Sequence, residues 1–290
     1  MKIAEVSPEI IPYAKTGGLA DVVGTLPIHL EKAGQEISIF MPLYKSVRES
    51  GLDLKLMDIT FDVPVGDVVC TGHLWKSIHP GSKNIVVYFI QRDEYYDRDA
   101  LYGTESGDYP DNAERYIFLS RAVLEVIKRL GLSIDVIHCH DWQTALIPVY
   151  LKTLYAREKI LSSMKTVLTI HNLAYQGLFQ HEDMKLTGLD HSLFNPLQLE
   201  HWGKINFLKG GIVFSDIVTT VSRKYAEEIK TVEFGCGLEG VLEEHENKLY
   251  GIINGVDYDQ WSPENGKFIS HKYNSEDLRG KVLCKKHLRK

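Results

Sequence analysis

Short apolar runs alternate with longer amphipathic stretches along most of the chain. Runs that predict strands are Lys2–Ser7, Glu36–Met41, Asn84–Gln91, Asp135–His140, Lys165–His171, Asp216–Val221 and Lys248–Asn254. Apolar residues at helical spacing predict helices at about Gly18 to Ala33, Asn112–Leu130, Trp142–Arg157 and Glu200–Phe214, and a further helix capped by Ser222. Strands that alternate with helices indicate a mostly parallel sheet covered on both faces, which is a doubly wound, Rossmann-like α/β domain.

Three segments depart from this alternation. Leu54–Pro80 alternates as a strand does, with Gly66-Asp67 as a turn, and predicts an antiparallel β-hairpin inserted in the domain. Asp93–Asp111 and Gln176–Leu199 combine turn residues, charges and aromatics with little periodicity, so we expect long loops there, which in compact domains are usually functional or mobile. We predict one domain over residues 1–257 and, in the polar stretch 258–290, a connector toward a further domain that these residues do not include.

Composition narrows the classes of partner. The 39 acidic residues outnumber the 33 basic ones and give a formal net charge of -6. This balance disfavours binding to nucleic acids, whose partners usually carry a basic face, and binding to anionic membranes. A neutral substrate such as a polysaccharide fits it.

Cysteine usage and the N-terminal sequence indicate the compartment. The four cysteines are widely spaced and contain no C-x-x-C pair, which argues for a reducing environment rather than a disulfide framework. The first apolar run is interrupted at Glu5, unlike a secretory signal, and no stretch approaches the roughly 20 apolar residues of a membrane span. We expect a cytoplasmic protein.

Polar clusters stand where four of the predicted strands end. These clusters are Lys15-Thr16-Gly17-Gly18, His138-Cys139-His140-Asp141, His171-Asn172 and Asn254-Gly255-Val256-Asp257. Ligands of doubly wound sheets bind at the carboxyl ends of the strands. We therefore expect the four clusters to converge on one rim of the sheet.

The first cluster has the composition of a phosphate pocket. Gly17 and Gly18 permit positive φ and close approach of the backbone, and a helix that starts there would direct free N–H groups at an anion. Lys15 would add a mobile cation. The alternative is a glycine-rich turn beside a solvated lysine, and short glycine motifs alone do not decide between the two.

The histidine-rich cluster allows two interpretations. His138 and His140 lie on one face of a strand, and Asp141 or His171 could complete a metal site, although the spacing matches no known zinc motif. Asp141 could instead cap the N-terminus of the helix predicted to follow it.

Aromatic residues that could stack on sugar rings, or simply fill the core, are Tyr95, Tyr96, Tyr102, Tyr109 and Trp202.

Six ordered segments together resemble one family. They are SPEIIPYAKTGGLADVVGTLP, HCHDWQTALIP, TIHNLAYQG, NFLKGGIVFSDIVTTVS, EFGCGLEGVL and GIINGVDYDQWSP. The chain resembles, from residue 1 to about residue 263, the N-terminal domain of bacterial glycogen synthases and plant starch synthases. These are retaining glucosyltransferases with the two-domain GT-B fold, and KTGGLADVVG and HNLAYQG are highly specific to them.

The resemblance implies roles for the donor side of the site. Lys15 resembles the family lysine that contacts the phosphates of ADP-glucose, and Gly17 and Gly18 resemble the glycines that shape its loop. Asp21 resembles a carboxylate implicated in activity. Tyr95 aligns loosely with a tyrosine near the donor.

The resemblance also implies roles around the transferred sugar. Asp141 resembles an acidic residue near the reacting sugar and the acceptor, His171 the active-site histidine at the transferred glucose, and Asn254 another cleft residue near that glucose. It implies transfer of glucose from ADP-glucose to the non-reducing end of an α-1,4-glucan such as glycogen or a maltooligosaccharide, with no metal and no cofactor.

The chain differs from the family pattern in length. The second domain of the family supplies an Arg and a Lys for the diphosphate and most of the adenosine pocket, and we expect the isolated chain to be inactive. Two alternatives remain: a half-enzyme or glucan-binding module without independent turnover, and a metallohydrolase that uses His138, His140, Asp141 and His171.

Overall fold

The structure is a computed structural model that describes residues 1–266 and 268–289. Its contacts divide the chain into two compact units, Met1–Ile253 and Asn254–Lys290. The larger unit contains all the strands of the described residues, and the smaller one contains two helices.

Fourteen strands are present in the described part of the chain. In chain order they are β1 (Lys2–Val6), β2 (Glu36–Pro42), β3 (Lys55–Val65), β4 (Val68–Ile78), β5 (Val86–Gln91), β6 (Gly103–Thr104), β7 (Gly107–Asp108), β8 (Val136–His140), β9 (Lys165–Ile170), β10 (Leu178–Phe179), β11 (Glu200–His201), β12 (Lys204–Asn206), β13 (Ile217–Thr220) and β14 (Leu249–Gly251).

Nine of these strands form the main sheet, in the order β14-β13-β9-β8-β1-β2-β5-β4-β3. The pairs from β14 to β5 are parallel, whereas β4 is antiparallel to both of its neighbours. The central strands are buried over nearly their whole length, as expected for a parallel sheet with both faces covered. The predicted doubly wound α/β class is confirmed.

Ten helices accompany the sheet in the same described ranges. They are α1 (Gly18–Lys32), α2 (Lys45–Arg48), α3 (Asp93–Tyr96), α4 (Asn112–Leu130), α5 (Leu146–Lys152), α6 (Phe207–Phe214), α7 (Arg223–Glu228), α8 (Glu239–Glu244), α9 (Tyr258–Trp261) and α10 (Arg279–Leu288), with short 3-10 turns at His181–Thr187, His191–Leu193 and Glu246–Lys248. None of the helices described is long and apolar enough to cross a membrane.

Several predicted elements are present where the sequence placed them. The hairpin is β3 and β4, joined by Gly66-Asp67, and it extends one edge of the main sheet. Helix α4 spans the predicted residues and ends at Gly131, whose φ of 62° is left-handed. Ser222 caps α7 by accepting a hydrogen bond from the backbone N–H of Tyr225.

The helix predicted over Trp142–Arg157 is wrong at both ends. Asp141 has a φ of 55°, so the chain leaves β8 in a left-handed turn, and regular helix is found only in α5. Thr153 ends α5 with φ and ψ of -125° and -93°.

The helix predicted over Glu200–Phe214 is wrong in its first half. Trp202 and Gly203 both have positive φ and form the two-residue turn of a hairpin between β11 and β12. The Asn206 side chain then accepts a hydrogen bond from the Lys209 N–H and starts α6. The strand predicted at the end of the series is also shorter, since β14 stops at Gly251.

The two segments predicted as long loops contain structure. Asp93–Asp111 holds α3 and the β6–β7 ribbon, and the fully buried Arg115 of α4 donates to the carbonyls of Tyr95 and Leu101 within it. Gln176–Leu199 holds β10 and two of the 3-10 turns. The buried Tyr150 hydroxyl donates to the carbonyl of Thr187 in the second segment, so both segments are held against the domain.

Candidate active site

The ends of β9, β8 and β1 lie side by side at one edge of the main sheet. Val6 pairs with Cys139, and His140 pairs with Thr169, so the residues that follow these strands emerge at the same level. The structure therefore brings the clusters after β8 and β9 into contact, through the hydrogen bond from the His171 N–H to Asp141. The Lys15 cluster is linked to them through Glu9, which binds the backbone of Thr16 and whose charge acts on Asp141. Asn254 begins the smaller unit, and its place in the site stays a prediction.

Lys15 is engaged by a neighbouring carboxylate. Its Nζ lies 2.7 Å from both carboxylate oxygens of Asp21, which is in the first turn of α1. Both side chains remain partly exposed, at 45% and 31%. The lysine is thus a paired cation that an incoming anion can reach, rather than the free one predicted.

Glu9 organises the loop that carries Lys15. Its buried carboxylate accepts hydrogen bonds from the backbone N–H groups of Thr16 and Gly17, at 2.5 and 3.2 Å, and from the Thr16 hydroxyl at 2.6 Å. The Tyr102 hydroxyl donates to the same carboxylate at 2.6 Å. The Gly17 N–H, which we predicted would face an anion, therefore already binds a carboxylate within the chain.

Sequence reasoning missed Glu9. Its only signal is a carboxylate six positions before Lys15 in the same motif.

Gly17 and Gly18 do not use the left-handed region that the sequence suggested. Gly17 is extended, with φ of -145° and ψ of -166°, and Gly18 also lacks positive φ. A Cβ at either position would meet no atom within 4 Å. Their value at this position is open space beside the start of α1, which leaves room for a ligand to approach the backbone.

Asp141 is fixed against the end of β9. Its Oδ1 accepts the backbone N–H of His171 at 2.7 Å, so the predicted capping of the helix after it is wrong. Burial raises the pKa of Asp141 to about 7, although the N–H groups of His171 and Asn172 act in the opposite direction. Left-handed backbone at a non-glycine residue is strained, and strain of this kind is concentrated at functional sites.

A network of buried polar side chains lies behind His171. It consists of Glu5, His138, His140, His171, Thr169 and Thr219, and we call it the Glu5 network. Glu5 Oε2 lies 2.9 Å from His138 Nδ1 and 2.9 Å from His140 Nε2. The other nitrogen of His140, Nδ1, lies 3.0 Å from His171 Nε2. His171 is thus connected to a carboxylate in the centre of the sheet.

The environment of the network sets its charges. Burial opposes ionisation of Glu5, but the charge of His138 and hydrogen bonds from both histidines bring its pKa down to about 2. Burial also lowers the pKa of His140 to about 4 and that of His171 to about 2, and neighbouring imidazoles add to both shifts. At neutral pH Glu5 is therefore ionised, and His140 and His171 are neutral.

Three members of this network, Glu5, His138 and His140, form the only cluster of at least three possible metal ligands found in the described residues. One ligand atom each of Glu5, His138 and His140 lies within 4.8 Å of the others. The predicted third ligands, Asp141 and His171, are not in this cluster, and the Asp141 carboxylate faces the backbone of β9 instead. Hydrogen bonds already account for the close approach of the three groups.

The predicted aromatic residues have different surroundings. Tyr95 is buried, and its hydroxyl contacts Glu114 at 3.2 Å and Cys70 at 3.6 Å, so its role near a donor stays a prediction. Tyr96 is also buried, whereas Trp202 is 85% exposed at its hairpin turn.

Comparison with known proteins identifies the family. Residues 2–244 match the family model described as the starch synthase catalytic domain. The chain belongs to the starch synthase catalytic domain family. The predicted resemblance to this family is confirmed.

Close relatives of this starch synthase domain include bacterial enzymes. It is 45% identical to a glycogen synthase of Thermodesulfovibrio yellowstonii and 47% identical to one of Koribacter versatilis, with 99% of the chain covered in each case. The chain spans 60% and 58% of the length of these two relatives.

A solved structure has the same architecture. The catalytic domain of starch synthase IV from Arabidopsis thaliana, bound to ADP and acarbose, superposes with a TM-score of 0.84 at 34% identity. The match covers 99% of this chain and 58% of that one.

Proposed function

We propose that this chain forms one side of the active site of a glucosyltransferase that extends α-1,4-glucans. The donor is ADP-glucose, and glucose is transferred with retention to the 4-hydroxyl at the non-reducing end of glycogen or a maltooligosaccharide. The observation that carries the proposal is the contact between Asp141 and His171 at the ends of β8 and β9, with the Lys15 loop held by Glu9, whose charge acts on Asp141, in a chain of this family. The ADP and acarbose bound to the Arabidopsis relative support a nucleotide and an oligosaccharide as ligands.

The groups divide into two tasks in this proposal. Negative charge grows on the departing ADP, and Lys15, together with the open backbone at Gly17 and Gly18, would stabilise it. Asp21 holds Lys15 until the donor arrives. Oxocarbenium character grows on the sugar, where Asp141 and His171 would orient the glucose.

Asn254 and Tyr95 are further proposed contacts of the donor sugar. The proposal includes neither a metal nor a cofactor. It places the reaction in the cytoplasm, in keeping with four cysteines that are all unpaired thiols.

A second candidate function is glucan binding without turnover. It is supported by the oligosaccharide acarbose bound to the Arabidopsis relative. The acceptor side of the cleft would then bind maltooligosaccharide while the donor lacks its remaining contacts.

The test compares the chain alone with a fusion. The fusion joins the chain to the remaining C-terminal part of the Koribacter versatilis glycogen synthase, and labelled ADP-glucose is offered with maltoheptaose. We expect transfer by the fusion and loss of transfer when it carries His171→Ala, with melting temperature as the control for folding. UDP-glucose in a parallel reaction tests the choice of nucleotide.

Two outcomes of this assay are decisive against the proposal. One is a folded fusion that transfers glucose from neither nucleotide while the intact relative is active. The other is a fusion whose His171→Ala variant transfers at the unmodified rate.

A further inference from the structure

The Glu5 network determines where the protons on His140 and His171 lie. Glu5 Oε2 lies 2.9 Å from a ring nitrogen of His138 and 2.9 Å from one of His140, and two donors on one oxygen favour the ionised carboxylate, whose pKa they lower. An ionised carboxylate can only accept hydrogen bonds. The Nε2 atom of His140, 2.9 Å away, must therefore carry the hydrogen that it donates to Glu5. Because a neutral imidazole has one N–H, Nδ1 of His140 is left as an acceptor.

The same reasoning extends to His171. Nδ1 of His140 can accept only if the facing atom, Nε2 of His171, is the donor of the 3.0 Å hydrogen bond between them. The remaining nitrogen of His171, Nδ1, then bears a lone pair. No hydrogen bond to this atom is found within the described residues, and His171 is half-buried.

We propose that Glu5 is a positioning residue for His171. By accepting the N–H of His140 it holds both imidazoles in one tautomer, so that His171 presents an unprotonated Nδ1 to a hydroxyl group of the sugar. In this state the His171 ring accepts a hydrogen bond and does not donate a proton.

This inference deepens the proposed function and rests on it for the identity of the sugar. It assigns a role to a residue that touches neither substrate. Glu5 acts through His140, and it is fully buried in β1 at the centre of the sheet. A carboxylate in an otherwise apolar buried strand requires donors. Both donors come from β8 and meet Oε2, whereas the buried Oε1 has no hydrogen-bond partner within the described residues.

The first test reads the tautomers directly and needs no turnover. The chain is labelled with 15N-histidine, and long-range 1H–15N correlation spectra are recorded at pH 7, with His140→Gln and His171→Gln used for assignment. We expect the proton of His171 on Nε2 and a bare Nδ1. A proton on Nδ1 of His171, or two protons on His140, would overturn the inference.

Matched variants of Glu5 test its part. The amide oxygen of Glu5→Gln can still accept from His140, so the tautomer of His171 should be kept. Glu5→Met has similar length but no acceptor of this strength, which frees His140 to move its proton, and the spectrum of His171 should change. Thr219→Val cuts the network on the side of His138 and should leave His171 unchanged. An unaltered His171 in folded Glu5→Met would overturn the proposal, and the wild-type and Glu5→Gln spectra decide it if Glu5→Met does not fold.

Turnover of the fusion described above supplies an independent reading. We expect Glu5→Met to lower kcat about 10- to 100-fold with less than about threefold change in the KM for glucan, and Glu5→Gln to restore kcat to within about threefold. An unchanged kcat in Glu5→Met would overturn the positioning role. A wild-type fusion that transfers nothing counts against the proposed function, while the tautomer spectra still decide the inference.

A bound metal is the competing explanation of the cluster. One equivalent of Zn²⁺ retained by the purified chain and lost in His138→Ala would overturn the inference, because the ion would take the place of the hydrogens on the nitrogens. We expect native mass spectrometry after incubation with Zn²⁺ to show the mass of the polypeptide alone.

Discussion

Asp141 and His171 are joined at the level of single atoms by one hydrogen bond, in which the backbone N–H of His171 donates to the Asp141 carboxylate. The bond explains how a strained residue is held in place, and burial explains why its carboxyl keeps a proton to unusually high pH. The imidazole of His171 stays neutral because burial lowers its pKa to about 2. An acid that titrates near neutrality beside a permanently neutral imidazole is a combination suited to contacting a sugar.

The raised pKa of Asp141 predicts a pH dependence of stability. The folded state holds the proton to about pH 7 and the unfolded state only to about pH 3.8, so stability from this group is present at low pH and is lost as pH rises between these values. Relative to Asp141→Asn, the wild type should lose about 2 to 3 kcal/mol of unfolding free energy between pH 5 and pH 8. Urea unfolding of both proteins at the two pH values measures this. Parallel curves would contradict the assigned burial of the carboxyl.

Lys15 should matter for the donor and little for the fold. Its pair with Asp21 is partly exposed, and such pairs contribute at most about 1 kcal/mol, so Lys15→Ala should leave the unfolding free energy within that range. In the fusion, loss of a charge-assisted contact should weaken use of ADP-glucose about 10- to 100-fold. Donor kinetics that match the unmodified fusion would exclude Lys15 from the phosphate site.

At the scale of elements, the sequence predicts strands and helices with periodic hydrophobic spacing, but it does not predict some of the turns between them. Hydrophobic spacing predicts the buried strands β1, β5, β8 and β9. It also predicts the long helix α4, where apolar residues recur at helical spacing over many turns. In contrast, Trp202 has positive φ, which tryptophan rarely adopts, so the local sequence does not predict the hairpin turn there.

Candidate site residues were predictable to a similar degree. Lys15, Asp141 and His171 are located by motif and strand end, and the structure joins Asp141 and His171 by a hydrogen bond. Glu9 was not predicted because its bond to Tyr102 joins residues 93 positions apart, and Glu5 was not because 135 positions separate it from His140. Such pairings appear only once the sheet order is known.

The contact between the motifs HNLAYQG and HCHDWQTALIP can be tested at Gly177, which packs on Trp142. Gly177 has φ of 62°, and a Cβ there would lie 2.5 Å from Cε3 of Trp142. Gly177→Ala should therefore cost about 2 to 5 kcal/mol of unfolding free energy, from left-handed strain and overpacking together. The control is Gly203→Ala, where φ is 78° but no atom lies within 4 Å, and the cost should be about 1 to 2 kcal/mol. Equal losses in chemical denaturation would contradict the packing of Gly177 on Trp142.

At the scale of the whole molecule, the chain corresponds to 58–60% of its glycogen synthase relatives. In the function proposed above, the ligand contacts are divided between this chain and a second domain. Each missing contact of about 1.4 kcal/mol lowers affinity tenfold, so losing three or four would move a micromolar donor site to the millimolar range.

We therefore expect the purified chain alone to show no transfer from labelled ADP-glucose and to bind maltooligosaccharides weakly. Isothermal titration with maltoheptaose, beside the transfer assay, measures both. Steady turnover by the isolated chain, verified to be free of full-length enzyme, would mean that this side of the cleft carries more of the catalytic groups than we propose.

The central claim is glucosyl transfer with retention at the edge formed by β1, β8 and β9. The measurement that tests it most directly is 1H NMR of the anomeric protons while the fusion acts on ADP-glucose and maltoheptaose. We predict new α-1,4 linkages that grow as ADP-glucose is consumed, and none in the His171→Ala fusion. The appearance of β-linked product, or of free glucose in place of a new linkage, would contradict the account.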